Sequence, residues 1–397
     1  MAEMLWDPLA ESFRSDPHPA MRRLRSLDPT HLSADGSLVL TRYRDVAEVL
    51  RNPSFGAARD VLLDTLRERL GDGHAFAYTS RRLSSYDPPD HTRLRGLVNR
   101  AFTPSRVHAL RPYIERTVDE LLSVHTRGDS FDIIETVAHP LPSLVICELL
   151  GVPDADRDAF DRWTAAIAFL LSPSVTPDRL AAGEAAVSEE WECIEQLIER
   201  TRRQPGDDLL SALVALEGVG TRLHIDELIA TVIFLLSAGH QTTRDLVGNG
   251  TLALLANERV WRTLTERPAS APAVVEECLR FDPPVSFVFR RALSDTNIAG
   301  IDVAAGRTVI PVLVAANRDP DRFANPDRFD PTRSDNKSLS FGGGIHHCIG
   351  AALARIEAEV ILQHLSARFP TCTLAQTETR WRETIVFRGP EAVLVTT

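Results

Sequence analysis

Cysteine is scarce in this chain and is not arranged for disulfide bonds. The 397 residues include five cysteines, at positions 147, 193, 278, 348 and 372, and none of them forms a Cys-x-x-Cys pair. An odd number of scattered cysteines provides no disulfide framework. We therefore expect reduced thiols.

Long apolar runs and an excess of basic charge are also absent. The most apolar stretch, residues 228–239, is only 12 residues long, whereas a membrane-spanning helix needs roughly 20. Residues 1–8 contain no basic region followed by an apolar run, so we expect a cytoplasmic protein with neither a signal peptide nor a membrane anchor. A formal net charge of −11 argues against a general nucleic-acid-binding protein.

No linker, charge block or internal repeat marks a domain boundary. The content of 44% hydrophobic and 25% charged residues is ordinary for a globular protein. Helical periodicity dominates residues 104–203, and short strands are predicted near residues 37–41 and after residue 283. We expect one mainly helical domain over residues 1–397, with a smaller β region, and a monomer.

Three local predictions follow from the same periodicity and its breaks. One uninterrupted helix is predicted over residues 107–124. The loosely patterned residues 56–86 are interpreted as a mobile flap over a pocket. The break at Ser172–Pro177 between two helices is interpreted as a lid connection.

A glycine-rich segment places Cys348 just ahead of a strong helical pattern. Residues 341–350 read Phe-Gly-Gly-Gly-Ile-His-His-Cys-Ile-Gly, and strong helix formers fill residues 351–365. Successive glycines let a backbone lie close against a flat ligand. The unpaired N–H groups at a helix start favour a thiolate, which binds iron well. The alternative is a cysteine buried for packing.

A second unusual segment lies inside the long helix predicted over residues 226–256. Residues 238–243 read Ala-Gly-His-Gln-Thr-Thr. Glycine within a helix costs about 1 kcal/mol relative to alanine, and a threonine hydroxyl can bond back to a carbonyl and bend the helix. A glycine at a helix crossing is the alternative explanation. Helical spacing places four residues on one face: Phe234, Ser237, Ala238 and Thr242.

Two polar pairs have helical spacing. His91 and Arg95, at i and i+4, present two donors on one helix face, and Glu277 and Arg280, at i and i+3, can form an ion pair. Either pair could also belong to a solvated surface. Neither pair by itself identifies a function.

Taken together, these segments resemble the cytochrome P-450 family. The resemblance implies the fold of that family, with haem b held between the helix 226–256 and the cysteine loop, and Cys348 as the proximal iron ligand. The thiolate would then donate electron density to the iron and favour O–O cleavage. The haem-binding residues it implies are Cys348, His91, Arg95, Arg290, His346, Phe341, Gly344 and Gly350.

The resemblance also assigns roles around the haem. The oxygen-binding and proton-delivery residues it implies are Thr242, Gln241, Ala238 and Gly239. The substrate-pocket residues are Phe234, Ser237, Ser286, Val288, Phe289 and Ile385. A structural lock would consist of Glu277, Arg280 and Arg328.

One residue departs from the family pattern. The family usually has Asp or Glu before the threonine, whereas this chain has Gln241, which cannot relay a proton by ionising. Either water alone carries protons to Thr242, or the reaction needs less proton delivery than hydroxylation does. Asp245, one turn further on, is a candidate substitute.

The implied activity is that of a monooxygenase. It would insert one oxygen atom from O2 into a C–H or C=C bond of a hydrophobic small molecule, free or bound to a carrier protein, in specialised metabolism. Because the chain has no flavin or iron–sulfur motif, electrons would come from a ferredoxin and a ferredoxin reductase, with Arg93, Arg100 and Arg355 as docking charges. Arg81 and Arg82 could meet an acidic group of the substrate or carrier.

Two alternatives remain open at this point. The same haem chemistry could drive oxidative coupling or desaturation without oxygen insertion, and the product mass would separate the two reactions. The protein could also be a haem-binding partner or sensor with little turnover.

Overall fold

The computed structural model describes residues 6–57, 63, 67–167, 170, 176–217 and 223–397. The chain divides into two compact units. The first unit contains the residues up to Gly56, Pro112–Pro140 and Thr242–Thr397, and the second contains Ala57–Arg111 and Leu141–Gln241. The single domain over residues 1–397 stays a prediction.

Helices account for most of the described chain. The α-helices are Glu11–Ser15, Pro17–Leu27, Tyr43–Arg51, His74–Arg81, Asp90–Ala101, Pro104–Ala109, Arg111–Leu122, Pro140–Leu150, Asp154–Ile167, Pro177–Arg203, Leu209–Val214, Ile225–Leu255, Glu258–Glu266, Ala271–Phe281, Leu313–Ala316 and Ala351–Arg368. Single 3-10 turns span Leu83–Ser85, Pro268–Ser270 and Gly344–His346, and a π-helical turn spans Ile134–Ala138.

The strands described in the structure are short, and they lie in the first unit. They are Thr30–Leu32, Leu38–Leu40, Phe55–Gly56, Ser130–Asp132, Arg290–Ala292, Thr296–Ile298, Ile301–Val303, Thr308–Pro311, Thr373–Leu374 and Leu394–Thr396. The prediction of a mainly helical chain with a smaller β region is confirmed.

The largest sheet has five strands. Its order is Thr30–Leu32, Leu38–Leu40, Thr308–Pro311, Arg290–Ala292 and Phe55–Gly56. The second and third strands of that order are parallel, with Leu38 opposite Val309, and the other pairs are antiparallel. Since the two parallel strands lie at the centre, their backbone groups are paired on both sides.

The side chains of the two central strands alternate between the faces of the sheet, so the core of the first unit consists of two clusters. Leu38 and Val309 face one cluster, which includes Val46 of the helix Tyr43–Arg51, whereas Val39 and Ile310 face a second cluster around Trp6 and Phe287. Successive side chains of a strand point to opposite faces, so one strand pair supplies both clusters. The sheet is therefore buried on both faces.

Two smaller sheets complete the β region. Ser130–Asp132, Leu394–Thr396 and Thr373–Leu374 form an antiparallel three-stranded sheet, in that order. Thr296–Ile298 and Ile301–Val303 form a hairpin. The two residues of its turn, Ala299 and Gly300, have φ of 53° and 81°, as the tightest hairpin turns require.

Two local predictions are corrected by the structure. The helix predicted over residues 107–124 is interrupted at Leu110, with Pro104–Ala109 before it and Arg111–Leu122 after it. The segment interpreted as a loosely patterned flap contains the helix His74–Arg81, whose Phe76 and Tyr78 are buried. Its apolar residues Ala75, Phe76, Ala77 and Tyr78 are consecutive in a helix of only eight residues, so the sequence shows no helical period there.

The predicted lid connection falls mainly outside the described residues, which resume at Thr176. Thr176 caps the helix Pro177–Arg203, because its side chain accepts from the Arg179 N–H. No helix in the described part of the chain is both long enough and apolar enough to cross a bilayer.

Candidate active site

The cysteine loop owes its shape to two glycines with left-handed backbone. Gly342 and Gly344 have φ of 71° and 63°, a region that L side chains rarely adopt. A Cβ atom on Gly344 would also lie 2.4 Å from the Leu50 carbonyl oxygen. The close approach at this glycine is therefore to the helix Tyr43–Arg51, a reason that the sequence did not reveal.

Cys348 is the exposed cysteine of the described chain. Its backbone N–H donates to the Phe341 carbonyl at 3.0 Å, and the residue is exposed. By contrast, Cys147, Cys278 and Cys372 are buried. Burial raises the pKa of Cys147 to about 12 and that of Cys372 to about 11, so both remain neutral thiols at physiological pH.

The helix that follows the loop begins at Ala351, as predicted, and continues to Arg368. Gly350 occupies the position before its first residue. Cys348 therefore precedes the helix by two further residues and does not lie within its first turn. The field of the helix N-terminus falls off within about one turn, so Cys348 lies near the limit of its reach.

An aromatic contact fixes the start of the loop. The Arg355 guanidinium lies over the Phe341 ring, 4.5 Å from its centroid. Arg355 is held by Glu276, with Nη2 and Oε2 3.4 Å apart. Phe341 thus links the loop to the helices that carry Arg355 and Glu276, Ala351–Arg368 and Ala271–Phe281.

The predicted structural lock needs one correction. Glu277 and Arg280 form an ion pair at 2.7 Å, and both side chains are completely buried. The third cation is Arg333, whose Nε lies 3.3 Å from Glu277 Oε1, and not Arg328, whose side chain is 68% exposed. Arg328 contributes its carbonyl oxygen instead, which accepts from Arg280 and from Arg333.

The long helix Ile225–Leu255 has one accessible face in its middle. Residues 228–233 and 243–251 are buried, whereas six residues between them are half-buried or exposed. These are Phe234, Ser237, Ala238, Gly239, Gln241 and Thr242. All of them except Gly239 follow helical spacing, so these five residues form one stripe along the helix. The stripe includes predicted oxygen-binding and substrate residues.

Gly239 has open space beside it. A Cβ atom added there would meet nothing within 4 Å, whereas one added to Gly248 of the same helix would lie 2.8 Å from Ile134 and Pro390. The glycine of the predicted oxygen site is therefore not explained by helix packing.

Asp245 is not a substitute for the acid that Gln241 lacks. It is completely buried and pairs with Arg244 at 2.8 Å and with Arg382 at 3.5 Å. Burial raises its pKa, and the two guanidinium groups oppose that shift. Asp245 ties the helix to the C-terminal segment, so the prediction that it could replace an acid at position 241 is wrong.

A carboxyl that the sequence reading missed lies beside Thr243. Glu357 is 2% exposed, and its side chain hydrogen-bonds to that of Thr243. Burial raises the pKa of Glu357 to about 8, so the group is mostly protonated at neutral pH. Its position in the sequence was a usable signal, because it interrupts the apolar spacing Leu353, Ile356, Val360 and Ile361.

A polar chain reaches the accessible stripe within the second unit. The Tyr78 hydroxyl lies 3.1 Å from Ser237 Oγ, and Ser237 also donates to the Phe234 carbonyl at 3.3 Å. Tyr78 interacts in turn with the guanidinium of Arg82. Ser237 was predicted as a substrate contact, whereas Tyr78 was not identified from the sequence.

The predicted pocket residues of the first unit come together in part. The Ser286 N–H donates to the Val386 carbonyl at 2.8 Å, and Ser286 and Ile385 line one small cavity. Val288 donates to the Pro311 carbonyl. Phe289 is exposed, and its ring packs on Phe287. The C-terminal segment therefore returns beside Ser286.

The predicted propionate-binding residues belong to different units. His91 is buried and Arg95 half-buried in the helix Asp90–Ala101 of the second unit. Arg290 lies in a strand of the first unit, where its Nη1 donates to the Phe289 carbonyl, and His346 lies in the cysteine loop. A shared role of these residues stays a prediction.

The residues present fit a haem. An iron in that group needs one accessible soft ligand, and the exposed Cys348 thiol supplies it. A flat ligand also needs space beside a helix, and Gly239 has that space. The two features lie in different units.

The sequence of this chain is similar to those of known proteins. The family model described as Cytochrome P450 matches residues 261–384. Cytochrome P450 107B1 of Saccharopolyspora erythraea is 39% identical over 399 residues, covering 97% of this chain and 96% of that protein. The mycinamicin IV hydroxylase/epoxidase of Micromonospora griseorubida is 38% identical over 357 residues, covering 89% and 87%.

A solved structure is similar in fold as well as in sequence. P450BioI, determined in complex with an acyl carrier protein ligated to hexadec-9Z-enoic acid, has a TM-score of 0.89 and 33% identity, covering 98% of this chain and 100% of that chain. Relatives of this kind are enzymes, which favours an enzyme over the sensor considered above. Identity of this level over nearly the full length shows that the chain belongs to the cytochrome P450 family, whose cofactor is haem iron.

Proposed function

We propose that this cytochrome P450 uses haem b to hydroxylate or epoxidise a hydrophobic small molecule. The observation that carries the proposal is the exposed thiol of Cys348 in a chain whose other described cysteines are less accessible. Bound haem would supply reductive activation of O2 and transfer of one oxygen atom to a C–H or C=C bond. Cys348 would hold the iron through its sulfur.

The stripe on the long helix supports the roles proposed for its residues. Thr242 carries a hydroxyl that can donate one hydrogen bond from Oγ1 and accept hydrogen bonds from water. Gln241 can orient water through its amide but cannot ionise. Gly239 and Ala238 leave room for O2. Proton delivery to Thr242 would therefore depend on ordered water.

The substrate is proposed to be mid-sized and largely apolar. Phe234 and Ala238 on the stripe are apolar, and Ser237 and Thr242 each add one hydroxyl. One relative is named for the hydroxylation or epoxidation of mycinamicin IV, and P450BioI binds an acyl chain attached to a carrier protein. We propose a substrate from specialised metabolism, either free or attached to a carrier.

Electrons are proposed to come from a ferredoxin and its reductase. Of the three arginines predicted to dock the donor, two are already paired with acids. Arg93 donates to Glu227 at 3.1 Å, and Arg355 is paired with Glu276. Arg100 is exposed and has no carboxylate partner among the described residues, so we propose it as the stronger docking charge.

The absorption spectrum of the reduced, CO-treated protein tests the proposal. The haem-replete wild type should show the strongly red-shifted Soret band of thiolate ligation, and Cys348→Ala should lose it. Cys193→Ala, at a half-buried thiol whose pKa is raised by burial, is the matched control and should keep the band. A wild type without that band would contradict the proposal.

A second reaction is favoured by one observation, the uncharged Gln241 where the family usually has an acid. Oxidative coupling or desaturation needs no oxygen atom in the product. Mass spectrometry separates the cases, since insertion adds 16 mass units and desaturation removes two hydrogens. Gln241→Glu should then shift the product ratio toward oxygen insertion if proton delivery limits that route.

A further inference from the structure

Among the residues that the structure describes, Arg82 has no acidic partner. It caps the helix His74–Arg81, and its side chain is half-buried. Its contacts are with hydroxyl groups: Nε donates to Ser85 Oγ at 2.9 Å, and the guanidinium interacts with the Tyr78 hydroxyl. Burial lowers its pKa, so the charge is held in a partly desolvated place without a carboxylate to compensate it.

Neighbouring arginines of the same unit are neutralised. Arg81 lies 3.6 Å from Asp226, and Arg93 is paired with Glu227. Glu190, a buried carboxyl near Tyr78, does not neutralise the charge of Arg82. Burial raises the pKa of Glu190 well above its ordinary value, which favours the neutral form of this carboxyl.

Arg82 is connected to the accessible stripe of the long helix. Tyr78 interacts with Arg82, and its hydroxyl lies 3.1 Å from Ser237 Oγ. Burial raises the pKa of Tyr78, so it keeps its proton and can donate at one end of this chain. Ser237 is half-buried on the stripe beside the exposed Ala238. The cation therefore lies at the end of a hydrogen-bonded path that starts among the substrate-contact candidates.

A guanidinium group recognises one class of ligand especially well. It presents several N–H donors in a fixed fork that matches the two oxygens of a carboxylate or phosphate. Ser85 and Tyr78 interact with part of that fork, and no carboxylate among the described residues pairs with the rest of it. A surface that includes the apolar side chains of Phe234 and Ala238, connected to a cation with no carboxylate partner in the described part of the chain, fits a molecule with an apolar body and one anionic end.

We propose that Arg82 binds an oxyanion at the end of an otherwise apolar substrate. The anion is either the carboxylate of a free acid or the phosphate of an acyl phosphopantetheine thioester. The inference rests on the proposed function, because it names the substrate class of the same site. Tyr78 positions the guanidinium through its hydroxyl.

Calorimetric titration of the haem-replete protein tests the inference. The ligands are straight-chain acids of 8 to 16 carbons, their methyl esters, and the matching acyl phosphopantetheine thioesters. The wild type should bind one acid, or one thioester, at least tenfold more tightly than the ester of the same chain. In Arg82→Gln that preference should fall by about 10- to 100-fold, whereas ester affinity should change less than twofold.

Two further variants make the result specific. Arg81→Gln removes a neighbouring arginine that already has an acid partner, and it should keep the preference. Arg82→Lys keeps the charge without the fork, and it should lie between the wild type and Arg82→Gln. A tight acid with a weak thioester identifies the carboxylate, and the reverse identifies the phosphate.

Equal affinity for acid, thioester and ester in the wild type overturns the inference, and so does equal weakening of all ligands in Arg82→Gln. Comparison of ligands on the wild type alone decides the matter if Arg82→Gln does not fold. The CO spectrum of the same preparations is read separately. A normal red-shifted band with no anion preference leaves the proposed function standing and removes only the role of Arg82.

Discussion

Replacing Glu357 by glutamine should stabilise the protein, and increasingly so as the pH rises. Glu357 is a buried carboxyl beside Thr243, and burial raises its pKa to about 8 from the ordinary 4.5. Glutamine has nearly the same shape and keeps a hydrogen bond to Thr243, but it never ionises. The substitution therefore removes the ionisation of the residue 357 side chain and keeps its size and its hydrogen bond.

The direction follows from proton binding in the two states. Below about pH 4.5 Glu357 is protonated in both folded and unfolded chains, so it does not affect the pH dependence. Between about 4.5 and 8 the unfolded chain loses the proton and the folded chain keeps it, so wild-type stability falls by about 1.4 kcal/mol per pH unit. Above pH 8 the loss is complete, at about 5 kcal/mol at most.

Scanning calorimetry of haem-replete wild type and Glu357→Gln at pH 5, 6, 7 and 8 measures the effect. An unfolding entropy of about 2.1 cal/mol/K per residue gives about 0.8 kcal/mol/K for a chain of 397 residues. The difference in Tm between the variant and the wild type should thus widen by about 2 °C per pH unit. Glu266→Gln, at an exposed position, should track the wild type. A Tm difference that does not change with pH would refute the reasoning.

Two further predictions concern stability and are checked by urea unfolding. Glu277→Gln should lower the free energy of unfolding by about 3–5 kcal/mol, because it leaves buried guanidinium groups without their counter-charge. Arg328→Gln should change it by less than about 0.5 kcal/mol. Similar losses in both variants would mean that the Arg328 side chain belongs to the structural lock. Gly389→Ala should lower the free energy of unfolding by about 1–3 kcal/mol, because the added Cβ would lie 2.0 Å from Asp245 Oδ1. Gly96→Ala, at an exposed helix position with open space around it, should raise the free energy of unfolding by up to about 1 kcal/mol. A loss there equal to that of Gly389→Ala would show that the clash is not the cause.

Elements with a strong local signal could be predicted from the sequence. The helix after the cysteine loop was expected from Ala351 and starts there, because helix formers follow glycines without interruption. The long helix was expected over residues 226–256 and spans Ile225–Leu255. In both cases residues close in sequence determine the element.

Contacts between distant segments could not be predicted in the same way. The third cation of the lock is Arg333 rather than Arg328, and nothing in the local sequence says which arginine folds back to Glu277. Gly344 was explained by a flat ligand, but its close contact is the Leu50 carbonyl, almost 300 residues earlier in the chain. Such choices depend on tertiary packing.

The different accessibilities of the cysteines allow the fraction of chains without cofactor to be measured by thiol labelling. Three of the thiols are buried, and burial raises the pKa of each of them. A thiol-selective dye applied to the folded protein should therefore react fastest at the exposed Cys348, and only in molecules whose sulfur is not already engaged. The fast phase of labelling then reports the fraction of chains without cofactor, before any catalytic assay is attempted.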